Sequence, residues 1–263
     1  MKRIAVAAIF AVSVAGALPA AAQSVSVAGT QFRVALVDGR VAPQEALKGV
    51  ILTFGDGSGK QRRLRIDSVE PDPKDKDGEV MLYGLSDQDP QSGEWRNACL
   101  PDPDGRRLGF PLAGSFTADG RYEPAPGKLL ITCTGGAEGK CVRFGYKPWG
   151  HAADGTPLLP YYQACVRLVR ADYAGDGRGT TKNGQPIDIY DRLGFQAPAG
   201  AYEFEAGFAP EGAVCVRHVR VKENATLASV EASAPRLAGR TGAACDEALA
   251  RAQGAILFVR SPP

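Results

Sequence analysis

Apolar and polar positions alternate through the first third of the chain. Phe32, Val34 and Leu36 interleave with Arg33, Ala35 and Val37, and Leu64 and Ile66 with Arg63, Arg65 and Asp67. Val80 and Leu82 continue the style, and residues 50–54 form a short apolar run. Period two predicts half-buried strands, because successive side chains of a strand leave opposite faces of the sheet. Asp-Gly pairs at 38–39, 56–57, 77–78, 104–105 and 119–120 punctuate these runs. Asp-Gly accepts the positive φ of tight hairpin turns, so an antiparallel arrangement is expected.

The period changes in the middle. Leu158, Tyr162, Cys165, Val166, Val169 and Tyr173 fall at helical spacing, with Gln163, Arg167 and Arg170 on the opposite face. Thr156 and Pro157 offer a start and Gly175 a stop. Residues 137–146 predict a further helix, weakened by Gly139 and Gly145 at about 1 kcal/mol each relative to alanine. Tyr202, Phe204 and Phe208, then Val214 and Val216, predict two strands joined through Pro210, Glu211 and Gly212. Residues 223–242 are small and polar and read as a loop. Cys245, Ala248, Leu249 and Ala252 make a helical stripe that Gly254 ends. Asp246 and Glu247 occupy its first turn, where the helix dipole favours anions. Residues 256–259 read as a last buried strand. The fold expected is α+β: antiparallel strands flanked by two or three helices and stabilised by disulfides.

The N-terminus follows another logic. Lys2 and Arg3 precede a charge-free apolar stretch over 4–18, then Pro19 and the small residues Ala20, Ala21 and Ala22. That is the three-part pattern of a secretory signal peptide, with cleavage expected after Ala22. The run is too short to favour a retained membrane span. Lys2 and Arg3 are among 31 Lys+Arg, and the leader holds none of the 29 Asp+Glu, so its removal brings the charges to parity. A neutral chain has no long-range field for nucleic acid or an anionic membrane, and neither partner is expected. All six cysteines, Cys99, Cys133, Cys141, Cys165, Cys215 and Cys245, lie beyond the leader. An even count in an exported chain argues for disulfides and leaves their pairing open. No pair has C-x-x-C spacing and only His151 and His218 could join a zinc site, so metal is the weaker reading. A periplasmic or secreted location is expected.

Four stretches carry a resemblance. They are Trp95 with Cys99; Lys140-Cys141-Val142-Arg143-Phe144-Gly145-Tyr146-Lys147-Pro148-Trp149; Ala164-Cys165-Val166-Arg167-Leu168-Val169-Arg170-Ala171-Asp172-Tyr173-Ala174-Gly175-Asp176-Gly177; and Pro186-Ile187-Asp188. Together they resemble the ADYC domain family, uncharacterised and mostly exported bacterial proteins named for an Ala-Asp-Tyr-Cys motif. The resemblance covers roughly residues 95–220. This chain departs at the name itself, because Ala171-Asp172-Tyr173 is followed by Ala174. If the family cysteine there forms a disulfide, its partner is missing here as well, which fits an even count. The resemblance implies no activity, cofactor or catalytic residue. The organisation expected is a leader (1–22), a β-rich region (23–94), an ADYC-like domain (95–222), and a C-terminal loop, helix and strand packing back on it (223–263).

Candidate chemistry gathers around the third stretch. Asp172, Asp176, Asp188 and Asp191 lie among Gly175, Gly177 and Gly179. Asp172 falls at the C-terminal end of the expected helix, where the dipole disfavours a carboxylate, and such local violations often mark function. Read as a Ca²⁺ loop, Asp172, Asp176 and Gly177 take the first, fifth and sixth positions, but Ala174 fails the third and Asn183 replaces the final glutamate. Read as a glycosidase pair, two carboxylates must face each other across a cleft. The plainer and stronger reading pairs Asp172 with Arg167, Arg170 or Arg192, or bonds it to backbone N–H groups of its turn. No cofactor is expected beyond that Ca²⁺ option. Tyr146, Trp149, Tyr161 and Tyr162 concentrate aromatic surface. Core anchoring, with Trp149 against a disulfide, is favoured over a platform for sugar rings.

Other motifs carry less. A nucleophile system would have to use His151 or His218, and no Gly-x-Ser-x-Gly elbow exists. Residues 55–60 superficially resemble a phosphate loop without its spacing. Asn224-Ala225-Thr226 fits a glycosylation sequon of little specificity. The functional expectation is an exported, non-catalytic envelope or secreted module that binds an envelope or extracellular partner. The alternative is an envelope polysaccharide or peptidoglycan hydrolase using the carboxylates of residues 172–191.

Overall fold

The computed structural model describes residues 6–7, 11–13, 22–55, 59–200 and 202–262. Most of the expected leader and the Asp56-Gly57 turn lie outside the described residues. The chain divides into two units, Met1–Phe116 with Tyr122–Arg143, and Thr117–Arg121 with Phe144–Pro263.

The first unit is mostly β-structure. Short strands β1 (Val6–Ala7) and β2 (Ala11–Ser13) precede a hairpin of β3 (Ala22–Ala28) and β4 (Gln31–Leu36). Then come β5 (Ile51–Gly55), β6 (Gln61–Pro71), β7 (Met81–Gln88), β8 (Trp95–Asn97), β9 (Leu108–Phe116) and β10 (Tyr122–Cys133). They form an antiparallel sheet in the order β1-β10-β9-β7-β6-β5-β2, with β8 paired to β7. The period-two reading holds: Phe32, Val34, Leu36, Leu52, Phe54, Leu64 and Ile66 are all buried. Gly39, Gly78 and Gly105 turn with φ of 81°, 67° and 77°, as their Asp-Gly pairs predict. Helix α1 (Ala137–Arg143) follows β10 and ends before the expected Tyr146. Gly139 helps this helix rather than weakening it. A Cβ there would lie 2.2 Å from the Cys133 carbonyl oxygen, so only glycine lets α1 close on β10.

The second unit contains α2 (Leu159–Arg170), β11 (Asp188–Asp191), β12 (Glu203–Ala209), β13 (Gly212–Val216), α3 (Leu227–Ser233), α4 (Glu247–Ala252) and β14 (Leu257–Ser261). Its strands pair antiparallel in the order β11-β14-β12-β13. Tyr190, Phe258, Ala250, Ala255, Cys215 and Cys245 form a buried cluster, with Phe204, Val214 and Leu249 packed on it. The segment 223–242 is not simply a loop, because α3 lies within it. Thr226 and Ser229 exchange side-chain and backbone hydrogen bonds as a capping box, which starts a helix whose apolar content is slight. The same contacts absorb the sequon, since the Asn224 amide donates to the Thr180 carbonyl.

The fold is therefore α+β, with four helices rather than two or three. Disulfides Cys99–Cys133 and Cys215–Cys245 each span a Cα–Cα distance of 5.5 Å. Cys141 and Cys165 are oxidised as well, so the chain carries three disulfides. No helix among the described residues is long and apolar enough to cross a membrane.

Candidate functional site

Helix α2 presents the resemblance stretch and shows why its residues matter. Pro160 sits in the first turn, where its missing N–H costs nothing. Tyr161, Tyr162, Cys165, Val166 and Leu168 are buried. Arg167 corrects the sequence reading: expected on the polar face, it is only 2% exposed. Its guanidinium is fully engaged, which is what a charge in a core requires. It donates to Asp172 Oδ2 at 2.8 Å, the Pro210 carbonyl at 2.6 Å and the Asp119 carbonyl at 3.1 Å. The helix also stops short of Gly175. Ala171 closes it with φ of 50°, the left-handed region that alanine rarely adopts.

Asp172 then organises the turn. Its Oδ1 accepts the N–H of Gly175 at 2.9 Å and of Asp176 at 3.1 Å, and its Oδ2 accepts that of Gly177 at 3.0 Å. Burial pushes the Asp172 carboxyl above the usual carboxylate range, with the Arg167 charge and the Gly177 N–H pulling the other way. Glycine is obligatory at two points. A Cβ on Gly175 would lie 1.8 Å from the Glu211 carbonyl oxygen, and one on Gly177 would lie 2.9 Å from the Asp119 carbonyl carbon. The turn is thus pressed against backbone at 119 and at 210–212.

A second buried network lies beside it, and the sequence reading missed its members. Tyr173 Oη donates to Glu205 Oε1 at 2.8 Å and accepts the Arg220 N–H at 2.9 Å. Arg220 donates to both Glu205 oxygens at 2.9 and 3.0 Å. It also donates to the Leu168 and Val169 carbonyls, which caps the C-terminal end of α2 with a cation. Glu205 and Arg220 side chains are 0% and 1% exposed. Burial, then the Glu205 charge, raises the Tyr173 phenol well above its ordinary range. A glutamate between Phe204 and Ala206, and an arginine between Val219 and Val221, were the available signals.

The remaining candidates are distributed rather than gathered. Asp176 holds Arg178; burial raises the Asp176 carboxyl, but the Arg178 side chain and N–H together outweigh it and keep the carboxyl below the usual range. Asp188 accepts the N–H groups of Ala199 and Gly200, each at 3.0 Å. Asp191 accepts those of Leu193 and Gln196 at 2.6 and 2.8 Å, and the Tyr146 hydroxyl at 2.6 Å. Tyr146 is buried and stacks on Tyr161 and Phe195. Burial, then the Asp191 hydrogen bond, raises its phenol. Trp149 departs from its expected core role and is 38% exposed. Among the described residues no group of three or more His, Cys, Asp or Glu is arranged to hold a metal ion. His218 offers no nucleophile pair, since both its ring nitrogens are buried without a hydrogen-bond partner.

The turn Pro210–Glu211–Gly212, braced by the Asp172 turn, forms one wall of a cleft of about 490 Å³. Val214, Arg236, Arg240 and Gln253 line the rest. Arg236 buttresses it by donating to the Ala174, Tyr173, Glu211 and Ala213 carbonyls.

The ADYC domain matches residues 44–222, and the chain belongs to that family. The match begins well before the residues that first carried the resemblance, and so takes in much of the first unit's sheet. No curated protein and no solved structure matches the chain.

Proposed function

We propose that the protein is an exported, non-catalytic module that binds an envelope or extracellular partner, working in the periplasm or beyond the cell. One observation carries the reading. Each nominated carboxylate, Asp172, Asp176, Asp188 and Asp191, is already bonded to backbone N–H groups or an arginine. A general acid or nucleophile needs a carboxyl free to meet substrate and to change its protonation state. These carboxyls hold loops in shape instead. Three disulfides and the leader-like N-terminus support work outside a reducing compartment.

The test pairs a binding assay with an activity assay. The tagged, oxidised protein is used to retrieve partners from its own cell envelope, and is incubated with peptidoglycan and with envelope polysaccharide. Specific retrieval with no turnover is the expected result. Turnover that Asp172→Asn or Asp176→Asn abolishes, while the variant stays folded, would overturn the reading in favour of a hydrolase.

A further inference from the structure

The cleft walled by the 210–212 turn has unspent chemistry. Its volume of about 490 Å³ is in the range of small-ligand sites, which join apolar walls to a few polar groups. Ala209, Pro210 and Val214 supply the apolar wall. The Arg240 side chain is half-buried and makes no hydrogen bond or ion pair among the described residues. Arg236 adds a second positive charge, hydrogen-bonded to four carbonyl oxygens. Burial, then repulsion from Arg167, pushes its pKa down against the pull of Glu211 and Asp172. Glu211 is 63% exposed and lies 4.0 Å from Arg121.

We propose that this cleft binds a small organic carboxylate with an apolar body, its carboxylate on Arg240 and its body against Ala209, Pro210 and Val214. A free guanidinium presents paired N–H groups that match the two oxygens of a carboxylate. Gln253, a neutral polar residue, lines the same cleft. One free guanidinium suits a singly charged group, whereas a phosphate dianion calls for more cations. The walls are preformed. A Cβ on Gly212 would lie 2.8 Å from the Tyr173 carbonyl oxygen and 2.9 Å from the Gly175 nitrogen, so the turn is seated tightly on the family signature. The inference rests on the binding-module reading and gives it a ligand class.

The experiment uses the purified, oxidised chain and calorimetric titration with hexanoate, benzoate and N-acetyl-alanyl-leucine, each beside its neutral amide. Saturable binding of at least one carboxylate is expected, with its amide at least about tenfold weaker. Arg240→Gln weakens the carboxylate by about 10- to 100-fold, as the loss of a charged hydrogen-bonded contact does. It leaves the unfolding temperature unchanged. Arg217→Gln, whose guanidinium donates to the Gly242 carbonyl, leaves binding intact. The proposal fails if no carboxylate binds at millimolar concentration. It fails equally if acid and amide bind alike, or if Arg240→Gln changes nothing. Partner retrieval from the envelope that survives such a failure removes this ligand assignment alone. Turnover of an envelope polymer removes the module reading and leaves the titration result standing.

Discussion

Replacing Asp172 by alanine tests the central reading most directly. The carboxylate accepts one guanidinium N–H and three backbone N–H groups at 2.8–3.1 Å, and its side chain is 2% exposed. Its removal leaves Arg167, also 2% exposed, as a buried cation with two carbonyl partners and only the exposed Asp119 carboxylate, at 3.9 Å, as counter-charge. Breaking a buried pair from one side costs about 3–5 kcal/mol. For a chain of this size that lowers the unfolding temperature by roughly 10 °C. The companion is the double variant Asp172→Asn with Arg167→Met. Burial pushes the Asp172 carboxyl up, so desolvation outweighs part of what the pairing returns. Removing both charges while keeping an amide acceptor for the turn is expected to recover most of the loss. Denaturant titration of the wild type, Asp172→Asn, Arg167→Met and the double variant gives the cycle, with Asp172→Ala measured beside it. A single-variant cost below about 1 kcal/mol, or a double variant no better than Asp172→Ala, would refute the reasoning.

Further outcomes follow from the same geometry. Gly175→Ala places a methyl 1.8 Å from the Glu211 carbonyl oxygen at a φ of 73°, and is expected to cost about 2 kcal/mol or more in thermal unfolding. Trp149→Ala, at a 38% exposed side chain, is expected to change stability by less than about 1 kcal/mol. Opening Cys215–Cys245 with paired serines should cost about 3–4 kcal/mol, given a sequence separation of 30. Burial raises Tyr83, Tyr122 and Tyr190 to about 12. An unfolded tyrosine loses its proton near about 10, so the folded state holds more protons between the two values. Their contribution is complete below about pH 10 and is lost as pH climbs to about 12. Tyrosinate absorbance should therefore rise together with alkaline unfolding; ionisation in a fully folded chain would contradict it.

Sheet and helix periods were legible because burial acts on every second residue of a strand and every third or fourth of a helix. The positions of Phe32, Leu64 and Ile66 follow from that alone. The failures have a common cause, which is that polar atoms satisfy one another at a distance. Arg167 was among the arginines expected to pair with Asp172, as it does, but it reads as a surface residue because nothing local announces the Asp119 and Pro210 carbonyls as its other partners. Helix α3 reads as loop because its start depends on two hydroxyls rather than on apolar periodicity. Trp149 reads as core because size suggests it, yet Tyr146, Tyr161 and Tyr162 already fill the space around α2. For the candidate site, Asp172 was visible as a carboxylate at the unfavourable end of a helix. Glu205 and Arg220 stood out only as charges among apolar neighbours, and their partners, like those of Arg236, come together only in the folded chain.

Ala171 carries a consequence of its own. An alanine at φ of 50° forfeits roughly 1–2 kcal/mol against an ordinary helical residue. Nothing in residues 159–171 therefore compels the coil of α2 to end there. The stop is imposed from outside, by Arg220 on the last carbonyls and by the bonds that Asp172 gathers. The family signature is thus a punctuation mark written by the surrounding protein, and it can be read only in context.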